Sequence, residues 1–523
     1  MIKRMQDGLR LAFALCERGL SSVFPPQHNP LLNLGALCFF LYWIITVTGI
    51  YLFVFYDTNV HGAHASLEYL SHDQWYAGGV MRSLHRYASD GLVVLMGLHL
   101  VREFALDRYR GMRWFSWVTG TPILVLVFVA GITGYWMVWD ALSQYIALVT
   151  TEWLDRLPIF GQPIAQNFLS SETLESRFFT LMVFMHIAVP LIALVLMWVH
   201  LQRISRPRIN PPRALSASLL AALVVLSLLR PALSQPPADL GKVPAILAID
   251  WFYLVLYPIL DTWPGPLTWT GSIVLMLLFV TIPWLPPMRK PAPARVDLDN
   301  CNGCARCFDD CPYNAILMGP RTDGLPFETQ AIVNESYCVS CGICAGACPT
   351  STPFRTGSAL SPGIDLPDHS IAALRDKVEA CGQRLTGFPR IIVFGCEHGV
   401  PLDREQGASI ASVSLRCAGQ LPPSMIDFVL SRSLADGVVV TGCTISGCHA
   451  RFGAQWTEER IARTRDPYLR TRVPRERLAH VWPGRSGGKE LHAAIEALQR
   501  DLESLGPVKA GRPPKRSVQE VSS

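Results

Sequence analysis

Two pairs of histidines set at one interval constrain this chain more than any other feature. The stretch Gly79–Arg102, GVMRSLHRYASDGLVVLMGLHLVR, carries His85 and His99, and Arg177–Arg203 carries His186 and His200; both gaps are 14 residues. At about 3.6 residues per turn and about 1.5 Å rise, that gap returns to nearly the same helix face about 21 Å further along. Two such helices facing each other clamp two metal centres, one near each end. A lone histidine in an apolar helix is usually a hydrogen-bonded structural residue. Matched pairs of ionisable side chains inside membrane-length runs are costly and mark function. Gly35 and Gly49, and again Gly120 and Gly134, repeat the 14-residue interval in two other apolar runs. Close helix packing accounts for glycine but not for the shared interval, whereas a flat macrocycle needs neighbours that present no side chain. Bis-imidazole ligation of a haem iron leaves no open position, so such centres carry electrons and do not bind substrate.

The segments RSLHR and GLHLVRE, WVTGTPILVLVFVAGITGYWMVWD and RFFTLMVFMHIAVPLIALVLMWVH resemble cytochrome b of the quinol-oxidising bc and b6f complexes, over roughly residues 1–287. The resemblance implies that His85 pairs with His186 on one b haem and His99 with His200 on the other. It also implies that Arg82, Arg102 and Arg177 serve as propionate partners. A homodimer, as in cytochrome b complexes, is left open.

A chain of 523 residues, half of them hydrophobic and with positive mean hydropathy, is too long for one domain and too apolar for an ordinary soluble protein. Its formal charge of +5 gives no argument for nucleic acid as a partner. Residues 1–30 read as an amphipathic helix lying on the membrane surface, since Asp7, Arg10, Glu17 and Arg18 interrupt any signal-like apolar core. Six spans are expected, at 31–56, 77–104, 115–138, 178–202, 214–233 and 268–286. The loops carrying Arg102, Arg108, Arg110 and Arg113, and Arg203, Arg206, Arg208 and Arg213, fall on one side, which the positive-inside bias makes cytoplasmic. Both termini then face the cytoplasm, and the His99/His200 haem lies near that face. His61, His64 and His72 sit in the opposite loop 57–76 and read as solvent-exposed.

Spans one to four form a dihaem domain, 31–213. Residues 214–290 add two further spans, and AILAIDWFYLVLYPIL between them resembles the quinol-site segment of the cytochrome b family, with Asp250-Trp-Phe-Tyr253 in place of its Pro-Glu-Trp-Tyr signature. A carboxylate and a phenol there could exchange protons with a quinone, which makes Asp250 and Tyr253 the catalytic candidates; an interfacial aromatic belt is the rival reading. PWLPPMRKPAP at 283–293 is a stiff exit from the last span.

Thirteen of the fifteen cysteines follow residue 300, which speaks for metal ligands in a reducing compartment and against a secreted disulfide framework. Cys301, Cys304, Cys307 and Cys311, then Cys338, Cys341, Cys344 and Cys348, form two C-x2-C-x2-C-x3-C-P runs. That is the bacterial two-cluster ferredoxin signature, in which the fourth cysteine of each run serves the other cluster. One [4Fe–4S] therefore takes Cys301, Cys304, Cys307 and Cys348, and the second Cys338, Cys341, Cys344 and Cys311, within a domain at 291–355. A linker with one helix follows at 356–384. Three strands, at 391–399, 411–419 and 437–450, each lead to a cysteine, with a helix at Pro422–Leu434, as α/β sheets build their sites. The GCTISGCH and RCAG segments make residues 385–504 similar to the small iron–sulfur subunit of methyl-viologen-reducing hydrogenase. That resemblance implies one [2Fe–2S] on Cys396, Cys417, Cys443 and Cys448. Ligation by Cys381 or His398 stays open, as does a zinc or dithiol site. Residues 505–523 read as a disordered basic tail.

The expected fold class is thus a membrane all-α six-helix cytochrome b bundle, followed by an α+β ferredoxin-like two-[4Fe–4S] module and an α/β [2Fe–2S] domain. No nucleotide-binding glycine loop, activated nucleophile or open metal position is apparent in the sequence, so substrate dehydrogenation is expected on a partner, a soluble flavin-type dehydrogenase. Electrons are expected to run through the clusters and haems to membrane quinone, in a bacterial or archaeal cytoplasmic membrane. Reverse flow from quinol to a low-potential acceptor, and a membrane anchor for a hydrogenase or reductase complex, are the alternatives.

Overall fold

The structure, a computed structural model, describes residues 2–157, 159, 163–164, 169, 174–244, 246–285, 291–355 and 361–508. The chain divides into two units, one of Met1–Gln202 with Pro207–Met288 and one of Arg203–Arg206 with Arg289–Ser523.

In the first unit, α1 (Ile2–Ser21) is amphipathic and docks on the end of α4 (Val80–Ala105): Arg10 donates to the Ala105 carbonyl and Arg102 pairs with Glu17 at 2.8 Å. The uninterrupted apolar runs form α2 (Leu34–Phe55), α5 (Trp114–Val138) and α7 (Ser176–Leu201). Helix α2 packs along α4, and α5 along α7. Helices α8 (Arg213–Leu229) and α10 (Gly265–Thr281), with the short α9 (Tyr257–Thr262) between them, complete the unit.

These helices coincide with the six expected spans, but among the described residues only four are both long and apolar enough to cross a membrane by length and composition: Leu34–Phe55, Gly111–Val138, Ser176–Leu201 and Gly265–Trp284. Helix α4 falls short because it carries Arg82, Arg86, Asp90, Arg102 and Glu103, and α8 because it has 17 residues. Two segments expected as loops are helical, α3 (Gly62–His72) and α6 (Ala141–Asp155). Asp140 caps α6 by accepting from Ser143 N at 2.8 Å, and its other oxygen accepts from Gln235 N at 2.9 Å. Gln144 then bonds Asp239 and Lys242, which lays the segment after α8 along α6 and carries Asp250 back to the bundle. Trp153 stacks on Trp269 at 3.8 Å and fixes α6 to α10.

The second unit opens with paired two-stranded sheets. Strand β1 (Arg295–Val296) pairs with β4 (Ile364–Asp365), and β2 (Ile316–Pro320) with β3 (Thr329–Val333), with short helices α11 (Arg306–Asp309) and α12 (Ile343–Ala347) between. Because β4 belongs to the stretch expected as a linker, that stretch closes the ferredoxin-like sheet before entering α13 (Ile371–Arg384). A four-stranded parallel sheet follows in the order β6 (Ile410–Leu415), β5 (Ile391–Cys396), β7 (Gly437–Thr441) and β8 (Leu478–Val481). Strands β5 and β7 are buried along their whole length, as parallel strands covered on both faces must be. One face is covered by α13 and α14 (Pro423–Ser431), the other by the Leu491, Ile495, Leu498 and Leu502 stripe of α16 (Gly488–Leu505). Helix α15 (Gly453–Ala462) packs beside the cysteine end of the sheet. Of the expected tail, 509–523 lies outside the described residues, as do 286–290 of the proline-rich exit and 356–360 of the linker.

Candidate redox centres and quinone site

Each of the four histidines meets one of the four glycines. A Cβ built on Gly35 would lie 3.6 Å from the His99 ring, on Gly49 3.0 Å from His85, on Gly120 3.3 Å from His200 and on Gly134 2.8 Å from His186. The glycines therefore make room for the imidazoles themselves, and the shared interval follows from that pairing. His85 Nδ1–H donates to the Ile45 carbonyl at 3.0 Å, His186 to Ala130 at 2.9 Å, and His200 to Ser116. In each case the carbonyl lies four residues before the glycine, so one device is used three times.

A threonine beside each of those glycines completes it: Thr48, Thr133 and Thr119 lie 3.1, 3.3 and 3.2 Å from the same Nδ1 atoms. The threonines were not anticipated, although the dipeptide Thr-Gly recurs at all three places. With Nδ1 committed as donor, Nε2 is left as the free lone pair, the arrangement that second-shell bonds impose on metal-bound histidine. The rings of His85 and His186 lie 6.1 Å apart. Two imidazoles each bonded at about 2 Å to one metal between them have centres roughly 6 Å apart, so this pair fits bis-imidazole haem ligation. His99 and His200 are electrostatic neighbours at the other level.

Of the candidate propionate partners, Arg82 is buried and bonded to Leu67, Ser71 and Ser234, Arg102 is paired with Glu17, and Arg177 is exposed at the start of α7. His61 and His72 are exposed, while His64 lies 3.3 Å from the Gln235 carbonyl.

In the Asp-Trp-Phe-Tyr segment the polar residues turn inward. Trp251 and Phe252 are 67% and 52% exposed, whereas Tyr253 is 3% exposed. The Asp250 carboxylate receives Arg86 from α4 and the Tyr135 hydroxyl from α5. Its other oxygen accepts from Phe252 N at 2.7 Å. Tyr253 bonds Ser89 at 2.7 Å, and its ring occupies the space over Gly131, where a Cβ would come within 2.1 Å. Arg86 also reaches Asp90 at 3.1 Å. Arg86, Asp90 and Tyr135 gather at Asp250 without having been candidates on sequence. A basic and an acidic residue one helical turn apart, inside a run of membrane length, were the available signal.

The ferredoxin-like cysteines gather around two cavities. One is lined by Cys301, Cys304, Cys307 and Cys348; the other by Cys311, Cys338, Cys341 and Cys344. Each cavity thus takes three cysteines from one run and the fourth from the other, the arrangement that a two-cluster ferredoxin requires. Backbone N–H groups already point at two sulfurs, Ala294 at Cys338 and Ala315 at Cys311. Gly303 permits the tight turn: its φ is +66°, and a Cβ there would meet the Thr329 carbonyl at 2.3 Å.

Cys396 ends β5, and Cys417 and Cys443 each lie two residues beyond β6 and β7. With Cys448 they form a buried ring in which Cys396 and Cys448 each neighbour both Cys417 and Cys443. That proximity holds the Cys396 and Cys448 thiols well below the ordinary value. Four neighbouring buried thiols are the donor set of an iron–sulfur site; among the described residues no three or more ligands are grouped to hold a single metal ion. Cys381 lies apart from the ring, in the aliphatic core of α13, and the His398 ring stacks on His449 at 3.6 Å. The ring also packs against Ile343 and Cys341, beside the second cavity.

Family models match three stretches of the chain. Residues 20–207 match the family model for cytochrome b/b6/petB, and all four histidines and four glycines fall inside that range, with Asp250 and Tyr253 beyond it. A solved hyperthermophilic respiratory complex III aligns at 21% identity over 49% of this chain and 75% of that chain, with a TM-score of 0.39. The chain is a membrane electron-transfer component with stretches similar to cytochrome b and to a 4Fe-4S domain. Along its length, residues 20–207 are similar to cytochrome b, 300–352 to the 4Fe-4S dicluster domain, and 402–506 to the delta subunit of methyl-viologen-reducing hydrogenase.

Proposed function

We propose that this chain is the quinone-reacting electron-transfer subunit of a membrane oxidoreductase complex whose substrate dehydrogenation takes place on a soluble flavin-type partner. Cys396, Cys417, Cys443 and Cys448 would hold a [2Fe–2S] centre, the two cavity-lining cysteine sets [4Fe–4S] centres, and His99/His200 and His85/His186 b haems, which in that order would relay electrons to membrane quinone. Bound there, these groups supply one-electron redox chemistry with closed coordination. The chain's own residues fix the imidazole tautomers through Ile45, Ala130 and Ser116, and hold Asp250 and Tyr253 against Ser89, Arg86 and Tyr135 for proton exchange with quinone.

The glycine-backed His85–His186 pair carries the reading. Seating four imidazoles against four glycines has no use in a passive anchor, which needs only apolar packing. The arginine-rich loops after the second and fourth spans support a cytoplasmic side for both termini and the iron–sulfur regions.

The test is His99→Ala in the purified complex. It should remove one haem and stop quinone reduction while the clusters are still reduced by the donor; undiminished quinone reduction would contradict the reading. Equilibrium potentials of the clusters separate the two directions, since clusters far below the quinone couple favour flow towards quinone.

A further inference from the structure

Arg86 faces two carboxylates. Its Nη2 donates to Asp250 Oδ2, and its Nη1 lies 3.1 Å from Asp90 Oδ1, without the alignment of a hydrogen bond. The side chains of Asp90 and Asp250 are 15% and 8% exposed, and both carboxyl groups face the one guanidinium. Around them stand Tyr87 and Ser89 on α4, Tyr135 from α5, Tyr253 from the return segment and Arg230 at the end of α8. Tyr87 gives its hydroxyl to the Arg230 carbonyl and Tyr253 bonds Ser89, so neither phenol supplies a proton to Asp90 in this arrangement. Among the described residues, the guanidinium of Arg86 is the cation in direct contact with the pair.

One cation cannot neutralise two carboxylates in a poorly solvated site. Two ionised carboxyl groups gathered on one guanidinium repel each other, and such a pair holds one proton in common and titrates as a unit. We infer that Asp90 is the proton partner of Asp250: the two share a single proton across Arg86, and that shared proton is the one exchanged with quinone. This rests on the reading of Asp250 as the quinone-facing carboxylate.

Reduction of a quinone to a quinol adds two electrons, which the haem-bearing bundle delivers, and two protons. The pair passes one proton to a quinone oxygen and becomes doubly ionised. The repulsion of the two charges then draws a proton from water, and the pair passes that one in turn. Asp90 acts through Asp250 and is a positioning residue. Without it, Asp250 keeps Arg86 and Tyr135 to itself, stays ionised and has no proton to give. Removing either carboxyl therefore removes the same function.

The experiment compares Asp90→Asn, Asp250→Asn and the double variant in the intact complex, by turnover with a short-chain quinone across pH and by infrared difference spectroscopy of protonated carboxyl groups. Haem content reports assembly, and Asp90→Glu, which keeps the carboxyl, stands in if the amide variant fails to assemble. Expected is one carboxyl band that both single variants lose, a turnover loss of about 100-fold in each, and no further loss in the double variant. Asp90→Glu should keep a shifted band. A band that survives Asp90→Asn, or losses that multiply in the double variant, would overturn the pair. If both variants lose the band but turnover is unchanged, the shared proton stands and the placing of quinone at Asp250 falls.

Discussion

Gly134 stands closest of the four glycines to its histidine, and that single contact makes the haem reading testable at one side chain. A Cβ at Gly134 would lie 2.8 Å from His186, inside contact distance. Gly134→Leu is therefore expected to displace the imidazole and lower haem content from two to one per chain, with the clusters intact. A haem assay showing two haems in that variant would contradict it. Asp365 offers a pH test in the second unit. Burial pushes its carboxyl up to about 6, while the Leu366 and Ile371 N–H groups pull the other way. Since the fold favours the protonated form, this contribution is fully present below about pH 4, the unfolded value, and is lost as pH rises through about 6. Asp365→Asn should remove that loss, roughly 3 kcal/mol for a shift of about 2 units, so its stability advantage over wild type should grow between about pH 4 and 7. Denaturant midpoints that run parallel for the two proteins would sink this assignment. At this scale the histidines, glycines and ferredoxin cysteines were legible because each is repeated at a fixed interval. Asp90 and Arg86 were not, since a charged residue next to a histidine reads as part of a helix end until the return segment is seen against it.

Helix α12 shows what an element contributes beyond its ligands. A Cβ on Gly346 would come within 2.1 Å of the Gly419 carbonyl, and one on Gly419 within 2.8 Å of Ile343, so α12 lies flush on the turn that follows Cys417. Gly346→Val must push that turn away. It is expected to slow electron passage from the Cys396/Cys417/Cys443/Cys448 centre to the second [4Fe–4S] centre by about tenfold or more, while iron content stays unchanged; rapid-freeze EPR reads this, and an unaltered rate would show that the packing is incidental. Beneath it, Arg460 is fully buried and joins Asp310 at 2.6 Å and the Gly419 carbonyl at 2.9 Å. Arg460→Met strands the Asp310 carboxylate, still held by Arg465, and should cost on the order of 3 kcal/mol. The three strands leading to cysteines were readable from continuous apolar runs. Strand β8 was not, because its Leu-Ala-His-Val has neither length nor alternation. Helices α3 and α6 were hidden because their polar faces resemble loop composition.

The whole chain joins a stretch similar to cytochrome b, one similar to a 4Fe-4S dicluster domain and one similar to a hydrogenase delta subunit in one covalent order, and the proposed function follows from that order more than from any one centre. Three four-cysteine groups and two imidazole pairs read as successive electron carriers, and quinone is the one small molecule that the proposed chemistry consumes. Legibility was greatest at this level: the cytochrome b, dicluster and delta-subunit regions all show in local motifs, whereas the site around Asp250 depends on a fold that brings residues 86, 135 and 250 together. The decisive measurement is rapid reduction of the purified complex by a photoreduced water-soluble flavin, with cluster EPR and haem absorption followed together in wild type and in Cys417→Ser. Haem reduction that lags cluster reduction, and slows at least about tenfold in Cys417→Ser, is the expected result. Haems that stay oxidised once the clusters are reduced, or that are reduced equally fast in the variant, would contradict it.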